Sequence, residues 1–150
     1  MKHAVALVYL IALSTHLSLA SAEPVCNPEN GHHYELLFTS FLTDWYGASS
    51  LAESQVFLGV SGHLETINSE MENNFLKTAF ATESLVGSAW IGGFQNTDSQ
   101  SYSEPDGGWE WITGEPFIYS NWAIGEPNNI HEDDPNPAKP EPKRASASYG

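Results

Sequence analysis

The sequence predicts a single α+β domain, with two helices early in the chain and an irregular antiparallel sheet with long loops after them. Two observations predict this fold class. Patterns typical of strands and helices alternate up to about residue 93, and a stretch rich in tryptophan, glycine and polar residues follows. The length of 150 residues suits one compact domain, and 12% aromatic residues, including five tryptophans, indicate a packed core rather than a disordered acidic chain.

The first segment, residues 1–22, has the pattern of a secretory signal. Lys2 precedes the apolar run 4–13, and small residues lead up to Ala22, after which we expect cleavage. The run is too short to cross a bilayer, which takes about 20 apolar residues, so we expect no membrane span. The sequence therefore predicts a secreted, extracellular protein in which residues 23–29 form a short N-terminal lead.

The first strand and the first helix of the core follow this lead. Tyr34, Leu36 and Phe38 occupy alternate positions, which predicts a strand with one strongly apolar face. The next apolar residues recur near helical spacing, and we expect this helix to end at Gly59. Those residues are Trp45, Ala48, Leu51, Ala52 and Phe57.

A second helix is predicted to begin after Ser69. Ser69 and Glu72 have the spacing of a capping box, in which the hydroxyl accepts a backbone hydrogen bond and the carboxylate reaches back to the chain before the helix. Residues 64–67 form a short strand candidate before this helix. After the helix, we expect residues 89–91 to form a buried strand that ends in a turn at Gly92–Gly93. The apolar stripe of the helix consists of Phe75, Leu76, Ala79 and Phe80.

The stretch that indicates chemistry follows the short strand Trp109–Trp111 and contains Glu126, Asn128 and Glu132. Glu126 and Asn128 are two residues apart, so their side chains leave the same face of an extended chain. Pro127 is the residue type at which a cis bond is least costly, and such a kink would aim both side chains at one point. These carboxylate and amide oxygens form a set that suits calcium, whereas zinc prefers nitrogen and sulfur donors.

Composition narrows the function classes. The formal charge of −14 argues against a nucleic acid partner, because a phosphate backbone needs a basic face. No Ser–His or Cys–His constellation has a recognisable spacing, so we expect no enzyme; a hydrolase using a carboxylate pair is an alternative, but nothing selects two of the 19 acidic residues. The acidic stretch also has plainer interpretations, namely a simple turn at Glu126 and a solubilising surface at Asp133 and Asp134. The single cysteine, Cys26, excludes an internal disulfide and permits a linked homo-oligomer.

Taken in order, several segments of the core resemble the C-type lectin-like domain. The resemblance runs from about residue 30 to residue 133 and rests on many short matches at familiar spacings rather than on one motif. The matching segments are Asn30-Gly31-His32, Trp45 with Ala48 and Ala52, Gly62-His63-Leu64-x-Thr66-Ile67, Ser69 with Glu72-Asn73-x-Phe75-Leu76, Trp90-Ile91-Gly92, Trp109-x-Trp111-x-x-Gly114-Glu115-Pro116 and Tyr119-x-Asn121-Trp122-x-x-Gly125-Glu126-Pro127-Asn128-Asn129.

This resemblance implies a double-loop α+β fold and a domain that binds carbohydrate or glycoprotein glycans through calcium held in the long loop region. The Glu-Pro-Asn form implies a mannose-type preference, with Glu126, Asn128 and Glu132 contacting both the ion and the sugar. Binding would involve no bond making or breaking. A calcium-independent protein-interaction or structural module on the same fold is the alternative.

Two departures from the family pattern shape the expectations. Gln95 stands near the position where the family has an aspartate of a further calcium site. The closing Trp-Asn-Asp segment and last strands of the family have no counterpart, so we expect residues 30–133 to form a truncated domain with weaker calcium binding. The strand at 34–38 would then have a bare edge. Residues 134–150 are rich in proline, which predicts a disordered tail.

Overall fold

The computed structural model describes residues 3–9, 23–39, 43–80, 89–128 and 144–147. Within these ranges the chain forms two α-helices and short strands, which confirms the α+β class. The elements in chain order are β1 (His3–Tyr9), β2 (Val25–Cys26), β3 (His33–Thr39), α1 (Trp45–Ser54), β4 (Val56–Phe57), β5 (Val60–Ser61), β6 (His63–Leu64), α2 (Glu70–Ala79), β7 (Ala89–Gln95), β8 (Trp109–Trp111) and β9 (Arg144–Ala147).

The main sheet of the described residues is mixed rather than purely antiparallel. Its strands follow the order β2-β3-β1-β7-β8, with β6 paired to β1 and β9 paired to β7. β1 runs parallel to β3 and to β6, whereas the pairs β2–β3, β1–β7, β7–β8 and β7–β9 are antiparallel. A separate two-stranded sheet consists of β4 and β5.

Strand β3 is buried on both faces. The strongly apolar face predicted for Tyr34, Leu36 and Phe38 is confirmed, and the opposite face is buried as well. Leu36 and Leu37 are 1% and 3% exposed, and neighbouring residues of a strand point to opposite faces. Glu35 and Thr39 are buried as well. The reason is that the two sides of β3 belong to two separate apolar clusters. The cluster on the α2 side contains Tyr34, Leu36, Ile67, Leu76, Phe80, Ala89, Ile91 and Trp111, and the cluster on the α1 side contains Leu37, Trp45, Ala48, Ala52 and Leu64.

Helix α1 begins after Asp44, whose carboxylate accepts a hydrogen bond from the backbone N–H of Gly47 at 2.8 Å. It ends at Ser54 and does not continue to Gly59 as the apolar spacing predicts. The residues that follow form the β4–β5 hairpin, with Gly59 at φ 80° in its turn. Val56 and Phe57 belong to residue types that favour strands, and the positive φ of the turn suits glycine, so the hairpin replaces the last helical turn.

Helix α2 has the expected capping interactions, with one difference in the backbone group that Glu72 contacts. The Ser69 hydroxyl accepts from the backbone N–H of Glu72 at 3.1 Å, which confirms the serine as the N-cap. The Glu72 carboxylate, however, accepts from the backbone N–H of Asn68 at 2.7 Å instead of from that of Ser69. In the apolar stripe, Leu76 and Phe80 are buried as predicted.

Strand β7 continues through Gly92–Gly93 to Gln95, so the expected turn at these glycines is wrong. Gly92 serves close packing instead. A Cβ atom there would lie 2.8 Å from Cγ2 of Ile112 and 2.9 Å from the carbonyl oxygen of Leu64. The strand can therefore pass against β6 and the end of β8 only because this position has no side chain.

Two strands lie in segments where the sequence predicts none. β1 belongs to the N-terminal segment and pairs with β3 along its whole length, so β3 has no bare edge while this segment is attached. The expectation of a bare edge in the cleaved chain stays a prediction. β9 belongs to the tail and pairs with β7. The four residues of β9 contain no proline, so their N–H groups are available for the ladder, unlike those of a disordered proline-rich tail. Cleavage after Ala22 concerns processing and stays a prediction.

Candidate functional site

The segment that contains Glu126 and Asn128 follows β8 and is held to the sheet by aromatic contacts. The ring centroids of Trp122 and Trp109 are 4.7 Å apart, and so are those of Phe117 and Trp111. Phe117 also stacks on Trp122, at 6.3 Å. Because Trp109 and Trp111 belong to β8, these contacts fix an irregular segment against a strand. Trp111 is buried in the core, whereas the other tryptophan rings of this cluster are half-buried.

A tight turn leads into the candidate site. The backbone N–H of Glu126 donates to the carbonyl oxygen of Ala123 at 2.9 Å. Gly125 within this turn has φ 92°, a conformation that side chains disfavour, although nothing lies within 4 Å of its missing Cβ. The backbone conformation, rather than lack of space, accounts for glycine here.

Glu126 and Asn128 are in direct contact, as their spacing predicts. The Asn128 side-chain Nδ2 donates to Oε1 of Glu126 at 2.6 Å, and the Asn128 backbone N–H donates to Oε2 at 3.2 Å. The peptide bond between Glu126 and Pro127 is cis. Glu126 is exposed and Asn128 is half-buried, so the pair is open to solvent.

The donor chemistry of this pair fits a hard cation, because it consists of two carboxylate oxygens and an amide oxygen in one solvent-open loop. The third predicted ligand, Glu132, lies outside the described residues, as do Asp133 and Asp134. In the part of the chain that the structure describes, no group of three or more histidine, cysteine or acidic side chains comes close enough to hold a metal ion. A complete ion shell therefore needs donors beyond Glu126 and Asn128.

Gln95, which stands near the position of the family's further calcium site, has a structural role here. Its side chain is 1% exposed, and its Nε2 donates to the carbonyl oxygens of Gly107 at 2.8 Å and Pro105 at 3.3 Å. The Trp109 indole N–H also donates to Pro105, at 3.2 Å. The amide thus ties the loop between β7 and β8 to the sheet.

Two polar clusters near the loops were not identified as sites by the sequence. In the first, the Glu115 Oε2 atom accepts from the Thr66 hydroxyl at 2.9 Å and from the Asn68 side-chain amide at 3.0 Å. Through these hydrogen bonds, the carboxylate joins the segment after β6, where Thr66 is buried, to the segment after β8. Glu115 lies in a Gly-Glu-Pro segment of the kind that resembles the family, but its partners are 49 and 47 residues away, so local pattern alone could not reveal them.

The second cluster is centred on Glu72. Its carboxylate accepts from the Tyr34 hydroxyl and from the Asn30 side-chain amide, the latter at 2.9 Å. Burial, followed by the hydrogen bond to Glu72, raises the pKa of the Tyr34 hydroxyl well above its ordinary value. The cluster joins α2 to β3, and its donors leave the carboxylate engaged inside the core rather than free for a ligand.

Comparison with known proteins defines the family. No protein-family model matches the chain. It is 32% identical over 125 residues to the C-type lectin lectoxin-Lio1 of Erythrolamprus poecilogyrus, which covers 81% of this chain and 69% of that protein. It is 38% identical over 72 residues to human C-type lectin domain family 17, member A, covering 48% of this chain and 16% of that protein. It is 30% identical over 114 residues to rat lithostathine, covering 74% of this chain and 62% of that protein.

The α+β fold, the loop that contains Glu126 and Asn128, and the similarity to these C-type lectins together define a lectin-like domain. The chain belongs to the C-type lectin family. The expected resemblance is thereby confirmed at the level of the family. None of these three relatives bears the name of an enzyme. Of the two described helices, neither has the length and apolar character that crossing a membrane requires.

Proposed function

We propose that this chain is a secreted, calcium-dependent carbohydrate-binding domain with a preference for mannose-type ligands. The observation that carries the proposal is the contact between Glu126 and Asn128 at 2.6 Å in a solvent-open loop. The loop presents a carboxylate and an amide side by side, and membership of a lectin family makes a glycan or glycoprotein the ligand class to test. The expected secretory signal, residues 1–22, fits an extracellular ligand of this kind.

In this proposal, Glu126, Asn128 and Glu132 would hold a calcium ion and contact the sugar. The ion would supply open coordination positions for two neighbouring sugar hydroxyls. Glu126 would accept a hydrogen bond from one hydroxyl, and the Asn128 amide would donate one to a hydroxyl oxygen. The high density of acidic groups in the chain favours the approach of a divalent cation.

The orientation of the Asn128 amide has a specific consequence for binding. Its Nδ2 donates to Glu126, so its Oδ1 is not the atom that faces the carboxylate. In this proposal, the amide would turn to offer Oδ1 to a cation held by Glu126, and Nδ2 would then be free to donate to a sugar oxygen. Cation binding and sugar binding would thereby be coupled in one side chain.

A single site of this type should bind weakly. Each hydrogen bond contributes on the order of 1 kcal/mol, and about twice as much when one partner is charged. Avidity would come from several copies acting together. Cys26 is exposed on β2 at the edge of the described sheet, so a homo-oligomer linked by a disulfide between two copies belongs to the proposal.

The test is a calcium titration followed by tryptophan fluorescence, because Trp122 lies in the segment that leads into the loop and contacts Trp109. We expect a saturable change in the millimolar range or above it, shifted to lower calcium by mannose but not by galactose. Glu126→Gln should abolish the change. Glu104→Gln is the matched control, because Glu104 also precedes a cis proline and is exposed. A response that survives in Glu126→Gln, or no response to calcium in the unaltered chain, would refute calcium-dependent sugar binding.

Exposed apolar side chains near the loop favour one alternative, a calcium-independent protein-interaction module on the same fold. Ile118 is 79% exposed and Ile124 is fully exposed, and both lie between β8 and Glu126. A contiguous apolar patch on a surface often marks a protein contact, whereas single exposed apolar side chains are common, so the test has to show that these two isoleucines act in binding. Partner binding that persists when Glu126 and Asn128 are both changed to alanine, and is lost when Ile118 and Ile124 are changed to serine, would favour this alternative.

A further inference from the structure

Trp109, the first residue of β8, contacts two loops at once. Its indole N–H donates to the carbonyl oxygen of Pro105 at 3.2 Å, in the loop between β7 and β8. Its ring packs against the ring of Trp122, with centroids 4.7 Å apart, in the segment that leads to Glu126. The Trp109 side chain is half-buried. One residue of the sheet therefore links the loop before β8 to the segment that contains the candidate site.

The loop before β8 is held in place on both sides of this link. The carbonyl oxygen of Pro105 also accepts from the Gln95 side chain, which is 1% exposed, at 3.3 Å. Gly108, directly before Trp109, has φ 78°, and a Cβ atom there would lie 2.8 Å from the carbonyl oxygen of Asn96. Glycine suits both the backbone conformation and the close approach. The indole N–H of Trp109 thus meets a carbonyl group whose position is fixed by other contacts.

A short turn joins Trp122 to the candidate site. The backbone N–H of Glu126 donates to the carbonyl oxygen of Ala123 at 2.9 Å, which closes a tight turn directly after Trp122. The Trp122 ring is packed on two sides, because Phe117 stacks on it with centroids 6.3 Å apart. The position of this ring therefore bears directly on where the Glu126 carboxylate lies.

We propose that Trp109 is a positioning residue for the calcium and sugar site, because its indole couples the loop before β8 to the turn that carries Glu126. The inference rests on the proposed function for the ligand, but the coupling itself belongs to the chain without ligand. Donors of a binding site have to lie within about 0.5 Å of their productive geometry, so a site on a loop depends on supporting contacts of this kind. Trp109 acts through Trp122 and is assigned no contact with the ion or the sugar.

The first test is a calcium titration of the isotope-labelled chain followed by NMR. The indole N–H resonance of Trp109 should move with the same midpoint as the backbone amide of Asn128. Trp90 is the internal control, because its indole N–H also donates to a carbonyl oxygen, that of Thr43 at 3.0 Å, but its ring packs against the cluster on the α1 side. The Trp90 resonance should stay in place.

The outcomes of this titration separate the two claims. Movement of Asn128 without Trp109, or equal movement of both indoles, would overturn the inference and leave calcium binding standing. No movement of Asn128 would refute calcium binding, and the inference is then decided by the second test.

The second test needs no ligand and compares two tryptophan-to-phenylalanine variants. Trp109→Phe removes the indole N–H and part of the ring, and Trp90→Phe makes the same change beside the other apolar cluster. Without calcium, Trp109→Phe should shift the backbone amide resonances of Glu126 and Asn128, whereas Trp90→Phe should leave them in place. Unshifted resonances of Glu126 and Asn128 in Trp109→Phe would overturn the inference.

The same two variants distinguish positioning from a general loss of stability. Each variant loses one hydrogen bond from a half-buried indole, so both should lower the urea midpoint to a similar extent. The calcium midpoint should rise about threefold or more in Trp109→Phe, because the site is less well preorganised, and should be unchanged in Trp90→Phe. Equal calcium midpoints in the two variants would overturn the inference.

Discussion

Replacing Glu115 by alanine should destabilise the domain, because this carboxylate joins two segments that are distant in sequence. Its Oε2 atom accepts from the Thr66 hydroxyl at 2.9 Å and from the Asn68 amide at 3.0 Å. Thr66 is 5% exposed, so its hydroxyl has little access to water once the acceptor is lost. Glu115→Ala therefore removes the acceptor and leaves the donors in place, which is the more costly way to break a hydrogen bond.

The magnitude follows from the burial of Thr66 and Asn68, because the third donor to this oxygen, the Thr113 hydroxyl at 3.3 Å, is exposed and turns to water. A buried donor left unsatisfied costs about 1–3 kcal/mol, and we assign about 2 kcal/mol to Thr66. Asn68 is half-buried and partly regains water, so we assign it about 1 kcal/mol. The free energy of unfolding should thus fall by about 3 kcal/mol in Glu115→Ala. Glu115→Gln keeps an acceptor oxygen but loses the charge, and should cost only about 1 kcal/mol.

The assay is urea unfolding followed by tryptophan fluorescence, with the slope of free energy against urea compared among variants. An unchanged slope would show that the variants unfold from comparable native states. Glu104→Ala is the control, because Glu104 is an exposed glutamate that also precedes proline, and its loss should cost less than about 0.5 kcal/mol. Glu115→Ala within about 0.5 kcal/mol of the unaltered chain, or Glu115→Gln as unstable as Glu115→Ala, would refute the reasoning.

Two further predictions concern the core. Burial and the hydrogen bond to Glu72 raise the pKa of Tyr34, so above the ordinary tyrosine value of about 10 the unfolded chain releases a proton that the folded chain keeps. The free energy of unfolding should therefore fall with rising pH in that range, by up to about 1.4 kcal/mol per pH unit. Tyr34→Phe should remove this pH dependence in urea unfolding measured at about pH 9 to 11. Gly92→Ala would force a Cβ to within 2.8 Å of Ile112 and 2.9 Å of the Leu64 carbonyl oxygen, so it should cost about 1–3 kcal/mol in the same assay, and an unaltered midpoint would contradict the packing role of Gly92.

Local patterns predict the elements whose signals lie within a few residues. The sequence predicts that Ser69 caps α2, and its hydroxyl does accept from the N–H three residues on. The spacing of Glu126 and Asn128 predicts that they meet, and the structure brings them into hydrogen-bond contact. In both cases the interaction closes over two or three residues, so the sequence alone contains the geometry.

Interactions between distant segments are beyond such patterns. From the sequence alone, Gly92 predicts a turn at the end of the strand. The strand continues instead, because glycine is needed there for close packing against Leu64 and Ile112, and the sequence does not show that packing. Gln95 can be recognised as a departure from the family, but its bonds to the carbonyl groups of Pro105 and Gly107 depend on how the following loop folds back. The role of Glu115 depends on partners more than forty residues away.

The sequence by itself determined the α+β class, the lectin family and the nature of the loop residues, because these follow from short-range periodicity, composition and the order of short motifs. Tertiary structure decided which strands complete the sheet and which carboxylates are engaged in the core. β1 became a central strand and Glu72 an acceptor for Tyr34 because backbone and buried polar groups must find partners, and those partners come from whichever segment the fold brings near.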